Sequence, residues 1–173
     1  PKGSTLQFQI HYTPNGTATR DQTRLGLIFT KEPPRHEVRV VGVANPALKI
    51  PPGAANFEVR ATTPVLFDAK ILSFLPHMHV RGKAIEIRAF YPDGRSETLL
   101  NVPNYSFAWQ TFYYFKQPLA IPKGTRLIVT GYFDNSPKNK YNPDPTRAVR
   151  FGEPTYDEMM GSFFDYTTGD QPL

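Results

Sequence analysis

The stretch Ala69-Lys-Ile-Leu-Ser-Phe-Leu-Pro-His77-Met78-His79-Val80 reads as a β-strand that ends on two imidazoles. It is rich in strand-forming residues, and side chains along a strand alternate faces with period 2. His77 and His79 therefore share one face, with Met78 on the other. Two neutral imidazole nitrogens at this spacing can converge on one metal ion; the plain alternative is a pair of polar residues on a solvated strand face. The chain has only four histidines, so two of them at i and i+2 mark this segment as the candidate site.

Outward from that strand the chain keeps the same rhythm of short alternating runs broken by Pro, Gly, Asn and Asp. Strands are predicted over 5–12, 23–30, 37–43, 56–61, 65–75 running into the histidines, 84–91, 96–102, 110–117, 126–133 and 157–165. Turn chemistry separates them: Pro14-Asn-Gly16, Pro33-Pro34, Pro51-Pro-Gly53, Pro122-Lys-Gly124 and Asn135-Ser-Pro137. Tyr91-Pro-Asp-Gly-Arg95, between two apolar runs, predicts a hairpin. Eighteen prolines would break a helical bundle but suit the loops of an all-β protein. The pattern predicts an all-β fold, an antiparallel β-sandwich of jelly-roll type. It is expected to be a single domain over 1–173 with an ordered core at about 5–166, and 134–145 is the longest polar loop.

Composition narrows the function classes. A hydrophobic fraction of 39% with 13% aromatics fits a packed globular domain and argues against disorder. No apolar run approaches the roughly 20 residues that a membrane-spanning helix needs. Cysteine is absent, which removes disulfides, thiolate metal sites and cysteine nucleophiles. The net charge of +5 is scattered, with a loose group at Lys138, Lys140, Arg147 and Arg150. A nucleic-acid surface concentrates such charge in a stripe, so no nucleic-acid partner is expected. The chain begins at Pro1 without an initiator Met, which predicts a processed or excised piece of something longer.

Downstream lies Gly152-Glu-Pro-Thr-Tyr-Asp157-Glu158-Met159-Met160-Gly-Ser-Phe163-Phe-Asp165, whose Met159 is 80 residues after His79. A methionine here reads by composition as core filler or, less often, as a ligand. The set Phe74-Leu-Pro-His77-Met-His79-Val-Arg-Gly82-Lys83 followed by Asp157-Glu-Met159 resembles the catalytic domain of the type II, ascorbate-dependent copper monooxygenases. That family includes dopamine β-hydroxylase and the peptidylglycine α-hydroxylating enzyme. Gln9-Ile-His11-Tyr12, the Gly82-Lys83 turn and Pro122-Lys-Gly124 fall in the family's order, so the resemblance covers about residues 6–166.

The resemblance implies one mononuclear copper held by His77, His79 and Met159, with O2, a small organic substrate and an ascorbate-type electron donor as partners and a hydroxylated C–H bond as the product. The ligand chemistry is consistent with copper, because imidazole serves both oxidation states and a thioether favours the reduced one. Zinc would recruit further His or carboxylate, and calcium six or more oxygens. If the last strand is regular, Met159 and Met160 face opposite ways and only one reaches the ion; the motif selects Met159. Met160 stands where animal members usually carry a cysteine, which removes a disulfide and not a ligand. Asp157 shares Met159's face and is a candidate partner for an imidazole N–H.

His11 matches the third ligand of the family's second, electron-relaying copper, whose other two histidines belong to a preceding domain. This chain has no His-His pair, so a second copper is expected only with an upstream domain. His36 is read as a surface residue. Peptide-amidating members bind the substrate carboxylate with an arginine where Leu75 stands and a tyrosine where Phe163 stands. An anionic peptide terminus would lose its charge-assisted contacts here, so the expectation is a weakly polar substrate and no peptide amidation. Tyr105, Phe107, Trp109, Phe112, Tyr113 and Tyr114 are read as sandwich core or pocket lining. Two other readings stay open: a copper-binding or electron-transfer module without oxygenase activity, and a metal-free jelly roll that recognises a glycan or protein. Copper use without cysteine points to a bacterial periplasmic or extracellular protein.

Overall fold

The structure, a computed structural model, describes residues 3–12, 15–32, 34 and 36–169, which fall in two compact units, Pro1–Glu32 and Pro33–Leu173. Among the described residues there is no helix.

In the first unit neither predicted strand forms. Residues 5–12 and 23–30 carry the expected alternation, Leu6-Phe8-Ile10 and Leu25-Leu27-Phe29, yet all six of these side chains are exposed and no ladder pairs them. Alternation supplies a face that a sheet can bury; a strand also needs a neighbour to take its N–H and C=O groups. The two stretches are linked instead through Asp21, whose Oδ2 accepts from the Tyr12 hydroxyl (2.7 Å) and the Thr23 hydroxyl (2.8 Å).

Among its described residues the second unit contains ten strands: β1 Arg39–Ala44, β2 Lys49–Ile50, β3 Phe57–Pro64, β4 Ala69–Met78, β5 Gly82–Phe90, β6 Ser96–Val102, β7 Tyr113–Ile121, β8 Arg126–Phe133, β9 Val149–Arg150 and β10 Met160–Thr167. They form a sheet of order β1-β10-β4-β7, a second of order β3-β8-β5-β6, and the small pair β2-β9. Every pairing between these strands is antiparallel. The two large sheets stack as a sandwich. Ile85, Ile87 and Ala89 of β5 and Leu127, Val129 and Phe133 of β8 meet Phe74, Met78, Met160 and Phe164 from the other sheet. Period-2 alternation on β5 and β8 puts all six of those residues on one face, which is why the sheet closes there.

The Tyr91–Arg95 hairpin forms as its turn residues require. The Tyr91 N–H donates to the Arg95 carbonyl (2.9 Å), and Gly94 adopts φ 88°, a region that suits glycine. Three places differ most from expectation. Residues 65–68 are a loop, so β3 runs to Pro64 and β4 begins at Ala69. The 110–117 strand is displaced to Tyr113–Ile121, and it tolerates Pro118 because β7 is an edge strand. The last strand begins at Met160 rather than 157. Strands β2 and β9 have two residues each and leave no readable period.

Gly131 and Gly161 mark close approaches between the strands. Met78 and Met160 are register partners whose side chains fill the space above Gly131, where a Cβ would lie 2.7 Å from Met160 Cγ and 3.1 Å from Met78 Sδ. At Gly161 a Cβ would collide with the Val43 carbonyl oxygen and sit 3.1 Å from Ala44 Cα. Backbone cannot step aside as a side chain can, so β1 would have to move. Gly161→Ala is therefore expected to destabilise the fold by about 2–3 kcal/mol, as overpacking typically does. Urea unfolding measures this, and a loss below about 0.5 kcal/mol would mean that the β1–β10 approach is looser than described.

Candidate metal centre

A bulge decides which way the histidines face. Ile71 of β4 is buried in the core, and so are Phe74 and Met78. Ile71 and Met78 are seven residues apart, an odd number, so a regular strand would send them to opposite faces. The register of β4 against β10 shifts between Ile71 and Ser73, leaving Leu72 as the extra residue; against β7 it shifts at the same place, with the surplus residues on β7. Beyond it Phe74 and Met78 point inward, and Leu75 and His77 point outward. His79, just past the strand, follows His77: the two ring centroids are 5.3 Å apart and nearly perpendicular.

The β7 ladder stops at Phe74↔Tyr113, so the end of β4 is paired with β10 alone. The chain between β6 and β7 fills the open side. The Tyr105 hydroxyl takes the place of a strand, donating to the Met78 carbonyl (2.7 Å) and accepting from the Met78 N–H (3.0 Å). Burial raises the Tyr105 phenol to about 12, which keeps it a donor at neutral pH. From the same segment, Gln110 Oε1 accepts from His77 Nδ1 at 2.6 Å, while Gln110 Nε2 donates to the Phe107 carbonyl (3.1 Å) and so fixes the amide's orientation. His79 Nδ1 donates to the Asp157 backbone carbonyl at 3.2 Å. Asp157 does partner an imidazole, through its main chain and not through its carboxylate. Both acceptors are oxygens without a proton, so both Nδ1 atoms carry the hydrogen and both Nε2 atoms keep a lone pair. Burial pushes both histidines below the ordinary imidazole value, most directly for His77, where the Gln110 bond only partly offsets it.

Met159 is half-buried and Met160 fully buried, in line with opposite faces. Continuing the register one step from Met160↔Met78 would set Met159 across from His79. The ladder does not close there, because a carboxylate is inserted. Glu158 is fully buried; its Oε1 accepts from the N–H groups of His79 and of Met159 (3.0 Å), and its Oε2 from the N–H of Arg81 (3.0 Å). Burial pushes the Glu158 carboxyl up to about 7, against the three N–H donors and the Arg81 guanidinium, which favour its charged form. Arg81 is itself 2% exposed, with Nε bonded to Asn135 and Asn142 and Nη1 to the Tyr156 carbonyl (2.9 Å). The polar stretch 134–145 is thus an ordered support for the site and not a free loop. Neither Glu158 nor Gln110 was recognisable as a site residue from the sequence; the one signal was Glu158's place beside the methionine.

Leu75 and Phe163 are register partners on the face that carries His77, with Phe163 45% exposed. The aromatic group is not core as a whole: Trp109, Phe112 and Tyr114 are exposed, Phe112 and Tyr114 stack at 5.8 Å, and Phe107 lies 5.9 Å from His79. Edge position on β7 and its preceding loop accounts for this, since no further strand covers that flank. Among the described residues no three His, Cys, Asp or Glu side chains gather around one point. His11 lies in the first unit as an exposed residue, and His36 is exposed in the second.

The family described as copper type II ascorbate-dependent monooxygenase, C-terminal domain, matches residues 37–170. Similar solved chains include one from the T13 IBDV viral particle, at 11% identity over 78% of this chain and 32% of that one, with a TM-score of 0.33. Another comes from the infectious bursal disease virus VP2 subviral particle, at 11% identity over 80% and 42%, with a TM-score of 0.35. This chain therefore spans less than half the length of either, and likeness at that level carries no argument. The residues present fit copper: two neutral imidazoles whose Nε2 atoms keep a lone pair suit both of its oxidation states, and a nearby thioether would favour the reduced one.

Two measurements follow from the geometry. In metal-free protein the His77 and His79 ring protons should titrate below the ordinary value of ~6.5. Their neutral forms are favoured by the fold, so the associated stability is present above 6.5 and is lost as pH falls through the lowered values. Nuclear magnetic resonance midpoints at or above 6.5 would contradict the burial described. Glu158→Ala strands three buried N–H groups, each costing about 1–3 kcal/mol when left without an acceptor. A loss of about 3 kcal/mol or more in urea unfolding is expected, and a loss under 1 kcal/mol would show that the carboxylate is dispensable.

Proposed function

The chain belongs to the copper type II ascorbate-dependent monooxygenases, as their C-terminal domain, and from that premise we propose that it binds one copper at His77, His79 and Met159 and takes part in hydroxylating a C–H bond. One oxygen atom of O2 enters the product, and the other leaves as water after two electrons from an ascorbate-type donor and two protons are taken up. Copper held there would supply the redox couple and the O2 activation that carbon-centred substrates otherwise resist.

The observation that carries the reading is the pair of Nδ1 hydrogen bonds, to Gln110 Oε1 and to the Asp157 carbonyl. They orient both rings and leave both Nε2 atoms as donors, the arrangement that ligating histidines commonly need. Glu158 accepts from the main-chain N–H groups of both His79 and Met159, which supports these two residues acting at one site. Leu75 and Phe163 are apolar register partners on the histidine face, where neither side chain can receive a carboxylate. This supports a weakly polar substrate and speaks against a peptide terminus. His11 would serve a second copper only alongside histidines supplied by another domain.

The purified chain should bind close to one copper, and His77→Ala or His79→Ala should abolish it; stoichiometry surviving both changes would falsify the assignment. Met159→Leu should spare Cu(II) binding while weakening Cu(I) binding at least tenfold, because the soft donor matters more to the reduced ion. Equal loss for both ions would remove Met159 from the site. Ascorbate-dependent oxygen uptake coupled to a hydroxylated product distinguishes an oxygenase from a copper carrier.

A further inference from the structure

At the end of the sandwich away from the histidines, a cavity of about 270 Å³ opens between the two large sheets. Val41, Ile71 and Phe164 line it from one sheet, Leu127 from the other, with Leu66 and Phe67 at the mouth. Thr63 and Tyr166 are the only polar side chains in its wall, and no charged side chain lines it. Its distance from the candidate metal centre follows from β4: Ile71 and His77 are six residues apart, roughly 20 Å along a strand.

The mouth is held open. The Val65 N–H donates to the Thr125 carbonyl (2.8 Å), the Gly124 N–H to the Val65 carbonyl (2.8 Å), and the Lys123 N–H to Asp68 Oδ1 (2.7 Å). These bonds clamp both flanks of the 65–68 loop, so Leu66 stays 68% exposed and Phe67 43% exposed instead of folding into the space beside them. Phe67 stacks on Tyr166 at 5.9 Å, which stiffens one lip. A preformed apolar cavity with an apolar rim favours a ligand that brings no hydrogen-bonding demand into it.

The geometry points to a binding site for an uncharged, mainly hydrocarbon molecule of up to about ten carbon atoms, scaled from the 150 Å³ cavity that accepts benzene. A carboxylate or ammonium group inside would have no partner and would lose its hydration. The site is independent of the copper reading, and either can fail without the other.

The test uses 1-octanol and octanoate as probes, followed by ¹H–¹⁵N shifts of the whole chain. Octanol should produce saturable, one-to-one shifts concentrated at residues 65–71, 121 and 164–166, and octanoate should bind at least tenfold more weakly. Ala69→Leu, which fills the cavity from β4, should weaken octanol binding at least tenfold. Leu66→Ser, at an exposed position that folding does not need, should weaken it about threefold or more. Neither change should alter copper stoichiometry. Shifts that do not saturate, that spread over exposed apolar residues elsewhere, or that ignore both substitutions would overturn the proposal. Equal affinity for octanoate would overturn the stated ligand class.

Discussion

The carboxylate of Glu158 is the interaction on which the candidate site rests. Hydrogen bonding between β10 and β4 would ordinarily continue strand to strand, yet past Met160↔Met78 it passes through a side chain. Three N–H groups from two segments converge on one buried acidic group, with Arg81 behind it and Asn135 and Asn142 behind Arg81. Charge-assisted bonds of this kind are stronger than neutral ones and are directional. Their effect is to fix the main chain at His79 relative to the main chain at Met159, so that the placement of those side chains depends little on the softer contacts around them.

Much of the fold was legible because its signals are local. Tyr91-Pro-Asp-Gly-Arg95 carries its own turn geometry, and the strands over 96–102 and 126–133 have the same bounds in the sequence reading as in the structure. What misled was alternation without a partner. Residues 5–12 and 23–30 carry the same period-2 pattern as β5, but a pattern describes one strand and a ladder requires two. The displaced start of β10 has the same origin: Asp157 and Glu158 continue the alternation on paper, while in the fold Glu158 turns inward and ends the ladder.

The site was half legible. Two histidines at i and i+2 declare a shared face from sequence alone, and Asp-Glu-Met offered a candidate third residue only through a family pattern. Gln110 could not be found in this way. It sits 33 positions from His77 among aromatics, and its role depends on β7 stopping at Tyr113, which exposes that flank of β4. Glu158 and Asn135 were hidden by their chemistry: a Glu or an Asn in a polar stretch reads as surface, and only tertiary structure reveals a network that satisfies it in the interior.

The bulge at Leu72 has a bearing on how such a chain can change over time. Faces along β4 are set by counting, and the surplus residue is what lets an odd separation between Ile71 and Met78 keep both inward. Excising Leu72 would leave them six positions apart, which a regular strand also carries inward, whereas losing one residue between Ser73 and Pro76 would turn the imidazoles toward the oily interior and push Met78 out to water. Substitutions can therefore accumulate past the bulge far more freely than single-codon gains or losses, and two compensating length changes would be tolerated where one is not.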